Sequence, residues 1–397
     1  MLRVRGGKTM IVKMSESLES VEIQLLRKSV QEFSKKEIAD HYVQWEKQGN
    51  IPREIWNKLG EQGFLLTEIP EKYGGLGTTF LYSAVIIEEL YKMGFNSIAA
   101  NLAVHDIIIA QYIYNYGTES QKAYYLPKMA SGELIGAVAM TEPGAGSDLQ
   151  GIKSTAIYNA EKSMYKLNGS KTFITNGQHC DFVLYVAKTD LVAKPSRGTT
   201  IFIVDVPVEG FERGSNLEKI GLHSCDTSEL FFDEVFVSEN SILGEKNQGF
   251  KILMSELPRE RLTIAISAVA SMEGVLDLTV QYTKERELFG TTLDTFQNTR
   301  FLLADLHTKM RVHRSFVNEC IELMMDEKLD TTTASMAKLS CSETLGEVVD
   351  KCLQLFGGYG YMTEYPIARA FTDARVLRIY GGTSEIMKQI ISKDLLG

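Results

Sequence analysis

Apolar residues recur along the chain with two different periods, and the changes of period divide it into three zones. Helical spacing runs from residue 15 to 134, short strand-like runs occupy 135–248, and helical spacing returns over 249–397. These zones predict an N-terminal α-helical domain, a middle antiparallel β-domain of barrel or sandwich type, and a C-terminal four-helix bundle. The expected fold class is therefore α+β multidomain.

Stripes of apolar residues at helical spacing support the two outer zones. In the first zone one stripe predicts the buried face of a helix, and in the last zone two stripes predict the seams of a bundle. A third bundle helix is expected over 331–355, and Thr383 is expected to cap the last helix, with Glu385 in its first turn. The three stripes are Leu18, Val21, Leu25 and Phe33; then Leu262, Ile266, Val269, Met272, Leu276 and Val280; then Leu302, Leu306, Met310, Val317, Cys320 and Met324.

The middle zone contains an Asn-Gly pair between two strand-like runs. Residues 165–169 and 171–175 flank this pair in a pattern that is typical of a β-hairpin. Further strands are expected over 182–186, 200–204 and 230–237, where short apolar runs occur.

Composition and charge exclude several classes of protein. The formal net charge of −9 argues against binding to nucleic acid or to an anionic membrane, since phosphate contacts need a basic surface. No apolar run reaches the roughly 18 residues of a membrane helix, so membrane insertion is not expected. The five cysteines form no Cys-x-x-Cys pair and the six histidines are dispersed, which predicts reduced thiols and no metal site.

The first fourteen residues carry four basic side chains and no acidic one. They lack the apolar core of a signal peptide, so they are interpreted as an alternative start or as the remnant of an organelle presequence. With reduced cysteines, this predicts a cytoplasmic protein, or a protein of the mitochondrial matrix if the source is eukaryotic.

The most informative motif is residues 139–148, Ala-Met-Thr-Glu-Pro-Gly-Ala-Gly-Ser-Asp. A strand-like run ends there in a polar turn with two glycines, which let a backbone approach a flat or anionic ligand, and with hydroxyl donors. By shape alone, such a segment is more often a plain turn at the end of a strand. It resembles, however, the flavin-contacting segment of the acyl-CoA dehydrogenases.

Four further segments resemble that family, in the family's order and spacing. Residues 173–177 resemble its second flavin strand, and 286–290 with Gln297 resemble its Arg…Phe-Gly…Gln signature. Residues 354–361 resemble its Gln-x-x-Gly-Gly-x-Gly-Tyr loop, and 380–385 resemble its closing loop over the flavin ring. Each segment alone would be weak, because an arginine or a glycine turn is common at a protein surface. Together they extend the resemblance over nearly the whole chain.

This resemblance implies FAD as the cofactor. In the family, the segments around 286 and 354 reach the FAD of a neighbouring subunit, so an oligomer is implied, by analogy a homotetramer built from dimers. An electron-transferring flavoprotein is implied as the partner that accepts the electrons. The residues implied in FAD binding are Val138, Met140, Thr141, Gly146, Ser147, Phe173, Ile174, Thr175, Arg286, Phe289, Gln297, Gln354, Leu355, Gly357, Gly358, Thr383 and Glu385.

The implied reaction needs a carboxylate that removes the α-proton of an acyl thioester. In many members of the family a Tyr-Glu-Gly-Thr loop supplies it, but here residues 380–383 are Tyr-Gly-Gly-Thr. Residues 257–262, Leu-Pro-Arg-Glu-Arg-Leu, resemble the long-chain and isovaleryl branch, which takes its base from the helix that opens the final bundle. Glu260 is therefore the predicted base. Without the resemblance it would be interpreted as a first-turn acid favoured by the helix dipole.

The surroundings of this base lead to further expectations. An enclosed carboxylate should have a pKa raised toward neutrality, which Arg261 would oppose. The backbone N–H of Gly381 is implied as a donor to the thioester carbonyl, and the missing side chain there leaves room for long or branched acyl groups. Ser147 is implied at the pantetheine arm, and Lys251 replaces an aromatic residue of the long-chain relatives. The substrate-binding candidates are Ser147, Lys251, Arg261, Gly381 and Gly382.

The predicted function is the FAD-dependent α,β-dehydrogenation of an acyl-CoA to the trans-2-enoyl thioester, with flavin N5 as hydride acceptor. One alternative is a dehydrogenase or oxidase acting on an acyl or aminoacyl group tethered to a carrier protein, since both donors present the same pantetheine arm. The other is a non-catalytic flavin-binding scaffold, because the loop lacks its usual carboxylate.

Overall fold

The computed structural model describes residues 18–397, so the predictions for the first fourteen residues lie outside the described part of the chain. The first zone is helical, as predicted. Its helices are α1 (Val21–Glu37), α2 (Tyr42–Gln48), α3 (Arg53–Glu61), α4 (Phe80–Lys92), α5 (Asn96–Leu102), α6 (Ala110–Tyr116) and α7 (Glu119–Ala130), with a π-helical segment over Ala103–Ile109.

The stripe predicted for the first helix is partly wrong. Val21 and Leu25 are exposed, whereas the buried face of α1 carries Ile23, Val30 and Phe33. At about 100° per residue, positions 21 and 25 lie nearly opposite positions 23 and 30. The predicted stripe therefore combined residues from two faces of the helix.

The middle zone forms one eight-stranded sheet in the order β6-β7-β3-β2-β4-β5-β8, with β1 paired to β4. Most strand pairs are antiparallel, as predicted, but β1 and β2 both pair with β4 in parallel. The strands are β1 (Gly136–Ala139), β2 (Thr155–Asn159), β3 (Met164–Thr175), β4 (Phe182–Lys188), β5 (Thr199–Asp205), β6 (Phe211–Asn216), β7 (Thr227–Val237) and β8 (Ile242–Leu243), with a short helix α8 (Pro195–Gly198) before β5.

The predicted hairpin at the Asn-Gly pair is wrong. Residues 164–175 form the single strand β3, and both of its ends pair with β7. Gly169 lies at a shift in the register of these two strands. A Cβ atom there would come within 2.9 Å of the Ser154 Cα atom, so this position needs glycine because another backbone passes close by, and not because the chain turns.

The last zone is a helical bundle, and its predicted seams are largely buried. The predicted third helix coincides with α11, and Thr383 caps the last helix by accepting a hydrogen bond from the backbone N–H of Ile386. The elements are α9 (Gly249–Glu285), β9 (Glu287–Leu288), β10 (Thr291–Thr292), α10 (Gln297–Met325), α11 (Thr331–Phe356), α12 (Pro366–Ala374) and α13 (Ser384–Leu396).

Helix α9 is the central element of this bundle, since it packs against α4, α10 and α11. Within residues 18–397 it is the one helix whose length and apolar composition would suffice to cross a membrane, and 67% of that stretch is buried inside the protein. Burial of this kind is typical of the core helix of a bundle. All five cysteines are free and buried.

Candidate active site

The predicted base, Glu260, lies in the interior of α9. The helix begins at Gly249 and continues through Pro258, so Glu260 lies about three turns from its start. The alternative interpretation of Glu260 as a first-turn acid is therefore wrong, because the proline is accommodated inside the helix and does not begin it. Only 7% of the residue's surface is exposed.

The carboxylate of Glu260 has a tyrosine as its hydrogen-bond donor. The hydroxyl of Tyr112, on α6, donates to Oε1 of Glu260 over 3.0 Å. Burial raises the pKa of Glu260 to about 7; the Tyr112 hydrogen bond lowers it, the nearby charge of Glu256 raises it, and Arg261 lowers it. This is the direction expected for an enclosed carboxylate, and it gives a group that exchanges a proton near neutral pH.

Helix α6 presents a polar face to this part of α9. Besides Tyr112, it carries Asn115, whose side chain donates to Glu256 over 3.1 Å, and Tyr116, which hydrogen-bonds Ser255 over 2.7 Å. This face leaves no motif in the sequence. Nothing in a single sequence pairs a tyrosine at 112 with a carboxylate 148 residues later.

The loop over 380–383 lies against the same part of α9. Nε of Arg261 donates to the carbonyl of Gly381 over 3.4 Å. A Cβ atom on Gly381 would collide with Cδ1 of Ile264, which lies one helical turn after Glu260. The structure thus brings the predicted base and the glycine loop together at one face of α9.

The glycines of this loop have free N–H donors. Gly381 and Gly382 have φ angles of +64° and +98°, and in the described chain neither N–H donates to a protein acceptor. After the loop, α13 begins at Ser384 with Glu385 exposed in its first turn. Free backbone donors beside a buried carboxylate provide what the carbonyl of a thioester needs when its α-proton is removed.

The motif that resembles the flavin strands forms one surface of the β-domain. The strand β1 ends before Met140, and the N–H of Thr172 on β3 donates to the carbonyl of Thr141 over 3.0 Å. The next residue, Phe173, has a φ of +59° at a register shift of β3, and 68% of its side chain is exposed. An exposed aromatic ring held on a strand is suited to lie against a flat ligand. Ile174 is buried, while Val138, Met140 and Thr175 are half-buried.

A buried ion pair that the sequence analysis missed fixes the Thr-Glu-Pro turn. Lys171 is fully buried, and its Nζ donates to Glu142 over 2.8 Å and to the carbonyls of Met140 and Val186 over 3.3 and 2.7 Å. Burial lowers the pKa of Lys171 to about 8, against the effect of Glu142. These contacts tie the turn to the sheet. A Cβ atom on Gly146 would meet nothing within 4 Å, so space is open beside it.

Two further segments resemble the Arg…Phe-Gly…Gln signature and the Gln-x-x-Gly-Gly-x-Gly-Tyr loop of the family. The first lies around β9 and β10, and the second lies at the C-terminal end of α11. The Arg286 guanidinium lies 5.3 Å from the ring centre of Tyr359, which brings two of these segments together. Phe289 is 96% exposed with a φ of +53°, and Gln297 and Gln354 are exposed. A Cβ atom on Gly357 or Gly358 would meet nothing, and Leu355 is half-buried.

The remaining substrate-binding candidates differ in their exposure. Ser147 and Lys251 are exposed, whereas Arg261 is buried and donates to Gly381 and to Ser335. Within residues 18–397, no three His, Cys, Asp or Glu side chains group so that they could hold a metal ion.

Comparisons with known proteins agree with this architecture. Three family models match: the N-terminal domain of acyl-CoA dehydrogenase over 20–133, its middle domain over 137–235 and its C-terminal domain over 247–396. The mitochondrial long-chain specific acyl-CoA dehydrogenase of Sus scrofa is 46% identical over 380 residues, which cover 95% of this chain and 87% of that protein. The mitochondrial isovaleryl-CoA dehydrogenase of Solanum tuberosum is 35% identical over 371 residues, covering 93% and 89%.

The solved structures give the same result. The crystal structure of an acyl-CoA dehydrogenase from Geobacillus kaustophilus matches with a TM-score of 0.93 and 46% identity, covering 96% of this chain and 99% of that one. The predicted three-domain fold is thereby confirmed. The chain belongs to the acyl-CoA dehydrogenase family of flavoprotein oxidoreductases.

Proposed function

We propose that the chain catalyses the α,β-dehydrogenation of an acyl-CoA to the trans-2-enoyl-CoA, with Glu260 as the base. The observation that carries this proposal is the buried Glu260 carboxylate, with a pKa of about 7, next to a loop with two free N–H donors. The carboxylate accepts the α-proton, and the N–H groups of Gly381 and Gly382 stabilise the negative charge that develops on the thioester oxygen. FAD, when bound, supplies the acceptor for the hydride that leaves the β-carbon.

The described residues fit FAD. The exposed ring of Phe173 and the open space beside Gly146 suit a flat ring system, and Arg286 is of the residue type that pairs best with a diphosphate. The residues proposed to hold it are those of the flavin strands and of the three later segments, 286–297, 354–358 and 383–385. One matching structure, a glutaryl-CoA dehydrogenase from Mycobacterium smegmatis, was solved in complex with FADH2.

A subunit interface is proposed at the β9–β10 turn. Phe289 is almost fully exposed there, on a turn whose segment resembles the one that reaches a neighbouring subunit in the family. A homotetramer in which this turn reaches the neighbouring FAD would cover it. We propose an electron-transferring flavoprotein as acceptor; one relative, 37% identical, is the CarC subunit of the caffeyl-CoA reductase-Etf complex of Acetobacterium woodii.

A long acyl chain is the proposed substrate class. Gly381 adds no side chain beside Ile264, and the 46% identity with a long-chain specific enzyme supports the same class. A cytoplasmic location is proposed, with the mitochondrial matrix as the alternative that the mitochondrial relatives suggest.

Anaerobic titration of the flavin-loaded protein tests this function. We expect acyl-CoA thioesters to bleach the visible flavin absorbance, with long chains effective at the lowest concentrations. The same acyl group on a carrier protein should bleach it much less, and the reverse order would favour the carrier-protein alternative. A yellow protein that no thioester bleaches would identify a non-catalytic scaffold and overturn the proposal.

The pH dependence of kcat/KM should show an acidic limb near pH 7. Only the ionised carboxylate accepts a proton, and the raised pKa keeps Glu260 protonated below about 7. Activity should therefore fall by about tenfold per pH unit on the acidic side of that value. Initial rates between pH 5.5 and 9, with the flavin content measured at each pH, check this. A profile that stays flat down to pH 5.5 would contradict the assignment of the base.

Replacing Tyr112 with Phe should move that limb to higher pH. The hydroxyl donates to the ionised form of Glu260, so its removal destabilises the carboxylate and raises the pKa by about one to two units. The rate on the alkaline plateau should change little. Tyr116→Phe is the matched control, because its hydroxyl bonds Ser255 and not Glu260. Equal shifts in both variants would show that the effect is not the hydrogen bond.

A further inference from the structure

The glycine loop over 380–383 is fastened by two buried cations. Nζ of Lys338 donates to the carbonyl of Gly382 over 2.5 Å, and Nε of Arg261 donates to the carbonyl of Gly381 over 3.4 Å. Lys338 is fully buried and Arg261 is 3% exposed. The two side chains come from different helices, α11 and α9, so the loop is held where these helices meet.

Neither cation forms an ion pair with an acid in residues 18–397. In the part of the chain that the structure describes, no carboxylate oxygen lies within 4.0 Å of either side chain, whereas the buried Arg314 has two such partners. Burial, and next the charge of Arg261, lower the pKa of Lys338 to about 8, against the more distant charges of Glu343 and Glu385. A buried cation without an ion pair costs stability, so these residues require another explanation than fold stability.

The backbone of the loop shows what the two cations do. In a trans peptide the C=O and the next N–H point in opposite directions, so the Gly381 carbonyl held by Arg261 also fixes the direction of the Gly382 N–H. Lys338 holds the following peptide unit at the Gly382 carbonyl, which limits rotation of the backbone at Gly382. Both glycines have positive φ angles, and glycine at such positions has access to several other conformations. Without the two donors, no other hydrogen bond within residues 18–397 would hold the carbonyls of Gly381 and Gly382 in this orientation.

We propose that Lys338 and Arg261 are positioning residues, which hold the two peptide units on either side of Gly382 and thereby keep the N–H donor of Gly382 directed at the thioester carbonyl. This inference rests on the proposed function. Lys338 contacts the carbonyl oxygen of the loop, and its effect on the substrate is transmitted through the peptide units.

The test replaces Lys338 with Met in the flavin-loaded enzyme. We expect kcat to fall by about 10- to 100-fold, because a displaced oxyanion donor has an effect of that size, while flavin content and the KM for acyl-CoA change little. Lys338→Arg retains a cationic donor and should recover part of kcat. Lys351→Met, on the exposed side of the same helix, is the matched control and should leave kcat unchanged.

A spectroscopic measurement separates positioning from a general structural effect. In a Glu260→Gln background, which binds the thioester without turnover, the isotope-edited carbonyl stretch of bound acyl-CoA should lie at a lower frequency than in water. Adding Lys338→Met should remove a large part of that shift. An unchanged stretch together with an unchanged kcat would overturn this inference but not the proposed function, which is tested separately by whether Glu260→Gln retains turnover.

Discussion

Replacing Glu260 with Gln is expected to lower kcat by about 10²- to 10⁴-fold, the usual contribution of a general base. The amide has the shape of the carboxylate and can still accept the Tyr112 hydrogen bond, but it cannot take up the α-proton. None of the proposed flavin contacts is altered, so the variant should remain yellow. Single-turnover reduction of the flavin by a long-chain acyl-CoA, followed without oxygen, measures this loss.

The neighbouring carboxylate provides a sharp control. Glu256 is buried on the same helix and accepts a hydrogen bond from Asn115, which an amide in its place can retain. Glu256→Gln should preserve turnover. Because the charge of Glu256 raises the pKa of Glu260, its removal should also move the acidic limb to lower pH. Comparable losses in the two variants would mean that Glu260 is one of two structural acids and not the base.

The residues proposed to react could be predicted from the sequence because motifs carry them. Glu260 was found from Leu-Pro-Arg-Glu-Arg-Leu together with the missing loop carboxylate, and the structure places it beside Gly381. The sequence does not predict the residues that contact these groups, such as the hydrogen-bond donor to Glu260 or the cation at the Gly382 carbonyl. Tyr112 contacts Glu260 across 148 residues of sequence, and such a pairing leaves no local pattern.

The position of Lys338 in the sequence, in contrast, indicates a buried lysine. Buried residues recur along α11 at Ala334, Ala337, Cys341 and Leu345, and Lys338 lies within that stripe. A lysine on the buried stripe of a helix needs a polar partner, so its position alone predicts an unusual role. The partner, a glycine carbonyl, has no side chain by which sequence could have identified it.

The errors in the fold have local physical causes. An Asn-Gly pair favours a hairpin, but at Gly169 the close backbone of Ser154 requires glycine within a continuous strand. For α1, helical spacing was recognised correctly while its buried face was not, since Val21 and Leu25 also occur at helical spacing. Periodicity predicts which element forms, whereas tertiary packing decides which apolar face is covered.

The site joins two domains, since Tyr112 belongs to the N-terminal helices and Glu260 to the bundle. Its geometry therefore depends on how these domains are fixed to each other. A buried ion network does this away from the site: Arg314 on α10 pairs with Glu88 on α4 and, over 2.9 Å, with Glu273 on α9. Glu88 pairs in addition with Arg27 on α1 over 2.9 Å.

Replacing Arg314 with Met should lower the free energy of unfolding by about 3–5 kcal/mol, the usual cost of removing one partner of a buried ion pair. Among the described residues, Glu88 would then keep only Arg27 as its cation, and Glu273 would keep only Lys92. Lys309→Met on the same helix is the matched control; its partner Glu347 is a surface acid, so about 1 kcal/mol or less is expected. Urea unfolding of both flavin-loaded variants, followed by circular dichroism, compares them. Similar midpoints would show that the network contributes no more than a surface pair.

The loss of unfolding free energy in Arg314→Met should also depend on pH. Burial by itself raises the pKa of Glu88, but Arg314 and then Arg27 lower it below its ordinary value of 4.5. A carboxyl whose pKa is depressed on folding stabilises the protein above its unfolded pKa and loses that contribution as the pH falls through the folded value. The difference between wild type and Arg314→Met should therefore be largest near neutral pH and shrink below about pH 4. A difference that stays constant at pH values well below about 4 would mean that packing of the arginine side chain, and not its charge, connects the two domains.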